Sequence, residues 1–172
     1  MSDDDAPAAA AARLCLDCGL CCNGVLFDLV RLQPGDRAKA LTAKGLKIKK
    51  GQWFTQPCTA LSGRLCQIYA HRPGRCRLFE CRQYQRVAAG EESTATALAR
   101  IEHVRKAVAR MEELLVACTG GGNVRKPLTQ RYATAMAALP CHQSSEVDAV
   151  RATLTEAMNA LQQTLDVHFR VA

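Results

Sequence analysis

The second half of the chain carries the clearest hydrophobic periodicity. Leu98, Ile101, Val104, Val108, Met111, Leu115 and Cys118 are spaced by three and four residues, one face of an α-helix starting near Ser93. Glu102 and Lys106 give it an i, i+4 ion pair, and Gly120-Gly121-Gly122 ends it. A short helix is predicted over 128–139, stopped by Pro140. A last helix starts at Ser144 or Ser145, both good N-caps, with Glu146 and Asp148 in its first turn. Its apolar face is Val147, Val150, Leu154, Ala157, Met158, Leu161 and Leu165. Two long helices with one apolar face each must bury those faces. Packing against each other is the simplest use; capping the first half, or meeting a protein partner, stays open.

The first half reads in shorter pieces. Residues 1–12 are an acidic, Ala-rich arm, expected to be frayed or disordered. An apolar run over 25–32 predicts a short strand. Residues 37–44 predict two helical turns closed by Gly45, and 46–54 an edge strand. Residues 58–61 and 65–69 flank Ser62-Gly63-Arg64, a hairpin pattern with Gly at the turn. Arg72-Pro73-Gly74 breaks the chain before Cys76, and helical character begins around Cys81. The fold class expected is α+β. A small metal-stabilised domain over 13–88, built from short strands and a hairpin, is followed by an α-helical hairpin over 91–172.

Composition narrows the function. The chain has 172 residues and a net charge of +7, and ten of its residues are cysteine. It is long enough to bury a core without help from a metal. No apolar run is long enough for a bilayer, and the acidic Met1-Ser2-Asp3-Asp4-Asp5 start is not that of a secretory signal. The reading is cytoplasmic, where thiols stay reduced and close-set cysteines are metal ligands or redox groups rather than disulfides. Between Arg31 and Arg86 stand 13 Lys or Arg against Asp36 and Glu80 alone, a net of +11. The positive charge is concentrated where the cysteines are.

Eight cysteines fall into two runs: Cys15, Cys18, Cys21 and Cys22, then Cys58, Cys66, Cys76 and Cys81. A two-residue gap lets a tight turn aim two thiolates at one metal, and three cysteines at that repeat open the bacterial ferredoxin pattern. Cys21 and Cys22 are adjacent, so their side chains diverge and need not serve one centre. Eight thiolates fit two four-cysteine sites, one cluster plus one zinc, or one site with spare redox cysteines. Zinc sites commonly use two Cys-x2-Cys knuckles. The absence of a second knuckle favours a [4Fe–4S] cluster over zinc, although soft thiolates hold both. Either centre with four thiolates carries −2, which Arg64, Arg72, Arg75, Arg77 and Arg82 would offset.

Cys15-Leu16-Asp17-Cys18-Gly19-Leu20-Cys21-Cys22 resembles the signature of the CxxCxxCC cysteine-cluster family of zinc- or iron-chelating domain proteins. The stretch from Cys66-Gln67-Ile68-Tyr69 through Arg72-Pro73 to Cys76-Arg77 and Cys81 is similar to the same family, and Cys58 after Pro57 matches its remaining cysteine. The resemblance covers Leu14 to Gln83 and implies metal chelation by all eight. A similar domain occurs in enzymes that methylate flagellin lysines, where an iron–sulfur centre is implied. An accessory or catalytic domain of a protein-modifying, methyltransferase-like enzyme is therefore one alternative, although no glycine-rich cofactor loop or catalytic carboxylate pair is present. A zinc module binding nucleic acid through the basic stretch is a weaker one, since charge alone is a footprint. His71 reads as a turn histidine, Cys118 as core, Cys141-His142 as a connecting loop, and Trp53 and Phe54 as core of the small domain.

Overall fold

A computed structural model describes residues 7–120, 124–140 and 144–171 of the chain. The acidic tip of the N-terminal arm, the rest of the glycine run and Cys141-His142 lie outside the described residues. Helix α1 (Pro7–Cys18) opens the order. Then come β1 (Leu29–Arg31), α2 (Ala38–Ala43), β2 (Trp53–Thr55), β3 (Leu61–Ser62) and β4 (Leu65–Cys66). A 3-10 turn (Tyr69–His71) leads to α3 (Gly74–Leu78), α4 (Arg82–Ala88), α5 (Thr94–Thr119), α6 (Leu128–Ala138) and α7 (Ser145–His168). The fold is α+β, as expected.

The long helices follow their sequence signals closely. The Ser93 and Ser144 hydroxyls accept the N–H groups of Thr96 and Val147, capping α5 and α7; each such cap contributes about 1 kcal/mol. Ile101, Val104, Val108, Met111 and Leu115 of α5 meet Leu154, Met158, Leu161 and Leu165 of α7, all buried. Glu102 pairs with Arg105 at 3.6 Å rather than with the expected Lys106.

Two expectations are corrected. The N-terminal arm is not frayed through residue 12: α1 begins at Pro7, and Ala11 and Leu14 are buried in the main core. The alanines favour helix, and packing on α4 and α5 holds it. The predicted edge strand over 46–54 shrinks to β2. A turn closed by the Gln52 N–H donating to the Lys49 carbonyl at 3.0 Å interrupts it, and Leu46 and Ile48 serve the core from coil.

The predicted 25–32 strand is likewise only β1, paired antiparallel with β2 (Val30 opposite Phe54). The hairpin forms with Leu61 opposite Cys66. Two hydrophobic cores result. The larger joins α1, α4, α5, α6 and α7, with Leu20, Leu26 and Phe169 among its members. The smaller contains Val30, Leu41, Leu46, Phe54 and Ala60. Cys18, Cys21 and Cys81 pack against the larger core, and Cys58 and Cys76 against the smaller.

Candidate metal centre

Four cysteines are positioned by α1, the turn after it and the start of α4. Cys15 and Cys18 sit three residues apart on α1, a spacing that puts both on one helix face. Gly19, at φ +70°, then reverses the chain, and its carbonyl accepts the N–H groups of Cys22 and Asn23 at 3.0 and 3.1 Å. That turn brings Cys21 back beneath the helix end. Cys81 immediately precedes α4, and α4 packs along α1. Cys18, Cys21 and Cys81 all pack against the larger core.

Of the other four, Cys22 lies in the turn after α1, and Cys58, Cys66 and Cys76 lie among the elements around the smaller core. Cys66 lies on β4 opposite Leu61, and the Leu61 N–H donates to the Cys58 carbonyl at 3.0 Å. Cys76 lies in α3, whose start is fixed by Asp36: its Oδ1 accepts the Gly74 N–H and its Oδ2 the Gln33 N–H, both at 2.8 Å. Arg72-Pro73-Gly74 is therefore a helix start as well as a break. Cys58 and Cys76 pack on the smaller core. The buried Gln56 side chain donates to the Cys21 carbonyl at 3.1 Å, tying the two groups together.

The thiols are held as polar groups. Backbone N–H groups reach the sulfurs of Cys18 (from Leu20), Cys58 (from Ala60 and Leu61) and Cys81 (among them Gln83 and Tyr84), an arrangement that favours the thiolate. Burial is nevertheless the largest influence, and it pushes the Cys18, Cys22 and Cys76 thiols up to about 12 from the usual 9.0. Burial also raises Cys15, Cys58 and Cys81, and raises Cys21 well above its ordinary value. Neighbouring thiols add to the rise. Cys15 and Cys81 act on Cys18 and Cys21, while Cys58, Cys66 and Cys76 act on Cys22. Arg72 opposes it at Cys15, Cys22 and Cys76, and Arg105 at Cys18.

A cavity of about 340 Å³ is walled by seven of the eight cysteines (Cys58 is the exception) and by Arg31, Arg64, Arg72 and Arg75. Phe27 and Phe79 meet edge to face beside it, with ring centroids 4.8 Å apart. Arg72 lies over the Tyr69 ring at 3.6 Å and donates through Nε to the Tyr69 carbonyl at 3.0 Å, so its position is fixed.

Of the arginines expected to offset thiolate charge, Arg64, Arg72 and Arg75 line the cavity. Arg77 does not, and Arg82 bonds the carbonyls of Asp166 and Val167 instead. Arg31 and Arg105, missed in the sequence, come from β1 and α5. His71 is exposed, Phe54 is buried in the smaller core and Cys118 packs on the larger.

The donor set fits a soft metal. All nine described cysteines are free of disulfides, and thiolates select zinc and iron–sulfur centres. Among the described residues no three or more His, Cys, Asp or Glu side chains already converge at the spacing of a bound ion. Thiols bind such metals as thiolates, so any loading would displace their protons.

Fold and site define a cysteine-rich chelating domain backed by a helical hairpin. The chain belongs to the CxxCxxCC family, whose domain is described as zinc- or iron-chelating: the family's sequence profile matches residues 14–107. The match runs past the cysteines and into α5, so the family unit includes part of the helical backing. Comparison with curated proteins and with solved structures gives no match. No helix among the described residues is long and apolar enough to cross a membrane.

Proposed function

We propose that this protein chelates iron in [4Fe–4S] form, four thiolates to a centre, drawing on Cys15, Cys18, Cys21, Cys22, Cys58, Cys66, Cys76 and Cys81, with zinc as the alternative metal. One observation carries the reading. Seven of the eight cysteines line one cavity, the eighth, Cys58, is bonded through its N–H to the Cys22 carbonyl, and Arg72 is fixed in the same cavity wall by Tyr69. Core cysteines that serve as small hydrophobes need none of this. The choice of iron over zinc rests on the Cys-x2-Cys-x2-Cys run without a second knuckle.

When bound, such a centre supplies one-electron capacity or a rigid fold-fixing link. The chain's own residues do the rest. The amides of Leu20, Ala60 and Leu61 steady thiolate charge, Arg72 and Arg105 offset it, and the apolar wall of Leu14, Leu20 and Phe27 limits water. A reducing compartment, the cytoplasm, suits free thiols of this density.

The deciding measurement is metal and sulfide content with an absorption spectrum, on protein purified without oxygen. Iron with matching sulfide, and visible absorption that bleaches on reduction, is the expected result. Colourless protein with stoichiometric zinc replaces the cluster by a structural zinc site. Protein that takes up neither metal removes the chelation reading.

A further inference from the structure

Resting on that chelation reading, we propose that the eight thiols form two separate four-thiolate centres: Cys15, Cys18, Cys21 and Cys81 hold one, and Cys22, Cys58, Cys66 and Cys76 hold the other.

The first ground is the scaffold each set is built on. Cys15 and Cys18 share a face of α1, Cys21 follows its terminal turn, and Cys81 starts the helix packed along it. Cys18, Cys21 and Cys81 rest on the larger core, whereas Cys58 and Cys76 rest on the smaller one. Cys58 and Cys66 flank one hairpin turn. Cys22 joins them because the Cys58 N–H donates to its carbonyl at 2.7 Å.

The second ground is the adjacency of Cys21 and Cys22. Adjacent side chains diverge, so one residue is delivered to each set. Arg72, which lines the cavity together with cysteines of both sets and is held there by Tyr69, is the cation shared by both centres.

The test uses the full chain, loaded with metal without oxygen, then alkylated and mapped by mass spectrometry. In Cys21→Ala, Cys15, Cys18 and Cys81 should become alkylated while Cys22, Cys58, Cys66 and Cys76 stay protected. In Cys22→Ala the pattern should reverse. Metal per chain should fall to half in each variant. Exposure of all remaining cysteines in either variant, or protection that crosses the two sets, overturns the partition. Should a single variant fail to fold by circular dichroism, chelator titration of the wild-type chain gives the same readout: cysteines should lose protection in these two groups of four. Loss as one group of eight overturns the proposal. A wild-type chain that takes up no metal overturns the chelation reading itself, a failure distinct from either of these.

Discussion

The backbone N–H of Cys58 donates to the carbonyl oxygen of Cys22 at 2.7 Å. This bond joins the loop after α1 to the entry of the β3–β4 hairpin. Beside it the Gln56 side chain holds the Cys21 carbonyl. Two consecutive residues of the first cysteine run are thus fixed by the segment that opens the second.

Metal removal should loosen the elements around the smaller core before the long helices. That core has five buried residues, too few to stand alone without a staple. Trp53 is the chain's one tryptophan and lies on β2, with the Lys49 ammonium 4.9 Å from its ring centroid. A chelator should change Trp53 fluorescence while far-UV helicity is largely kept. Simultaneous loss of both signals would refute this.

Alkali should destabilise the metal-free protein. Cys18, Cys22 and Cys76 are pushed up to about 12 when folded, against 9.0 for an ordinary thiol. Between those values the unfolded chain has released protons that the folded chain retains, so stability falls as pH rises from 9 to 12. Denaturant midpoints across that range should decline for the metal-free form and stay flatter for the loaded one.

Arg72→Gln should weaken metal retention about 10–100-fold, the usual effect of losing a partner that surrounds a metal's ligands. Arg72→Lys should recover part of it, since the charge returns without the planar stack over Tyr69. Competition with a chromophoric chelator measures both, and an unchanged affinity in the Gln variant would count against the role assigned to Arg72.

Gly24→Ala should destabilise the fold without removing a thiol. Gly24 has φ +84°, and an added Cβ would stand 3.1 Å from the Pro127 Cα. Strain at a positive φ of about 1–2 kcal/mol is expected, with the backbone contact adding to it. Thermal unfolding of the variant should show a lowered Tm; an unchanged Tm would contradict the close approach.

Mild acid should act through His168. Burial, then Arg100 and Arg86, lower its pKa below the usual 6.5, and its buried Nδ1 has no hydrogen-bond partner. Its contribution is present above pH 6.5 and is lost as pH falls through the lowered folded value. His168→Gln should flatten the pH dependence of stability on that side, measured by urea titration.

The helices were legible because each carried both a period and a cap: Ser93 and Ser144 mark the starts of α5 and α7, and Leu154 to Leu165 mark the buried stripe. The candidate ligands stand out in the sequence by their clustering and by the likeness to the family pattern. What spacing could not give is which thiol faces which, because that depends on α4 lying along α1 and on the hairpin meeting Cys22. Arg105, Asp36 and Gln56 were missed for the same reason: each acts on a cysteine brought near only by folding. The strand over 46–54 was over-read because Leu46 and Ile48 are buried from coil, and an apolar residue reports burial more reliably than backbone shape.

The two residues after Cys81 are anchored far along the chain. The Arg82 N–H donates to the Phe169 carbonyl at 3.0 Å, and the Gln83 side chain to the His168 carbonyl at 2.9 Å. The start of α4, and with it Cys81, is thus clamped from two directions: by α1, which lies before it in the chain, and by the turn after α7, more than 80 residues later. Local opening of that last turn would slacken the backbone next to Cys81 while leaving the β3–β4 hairpin untouched.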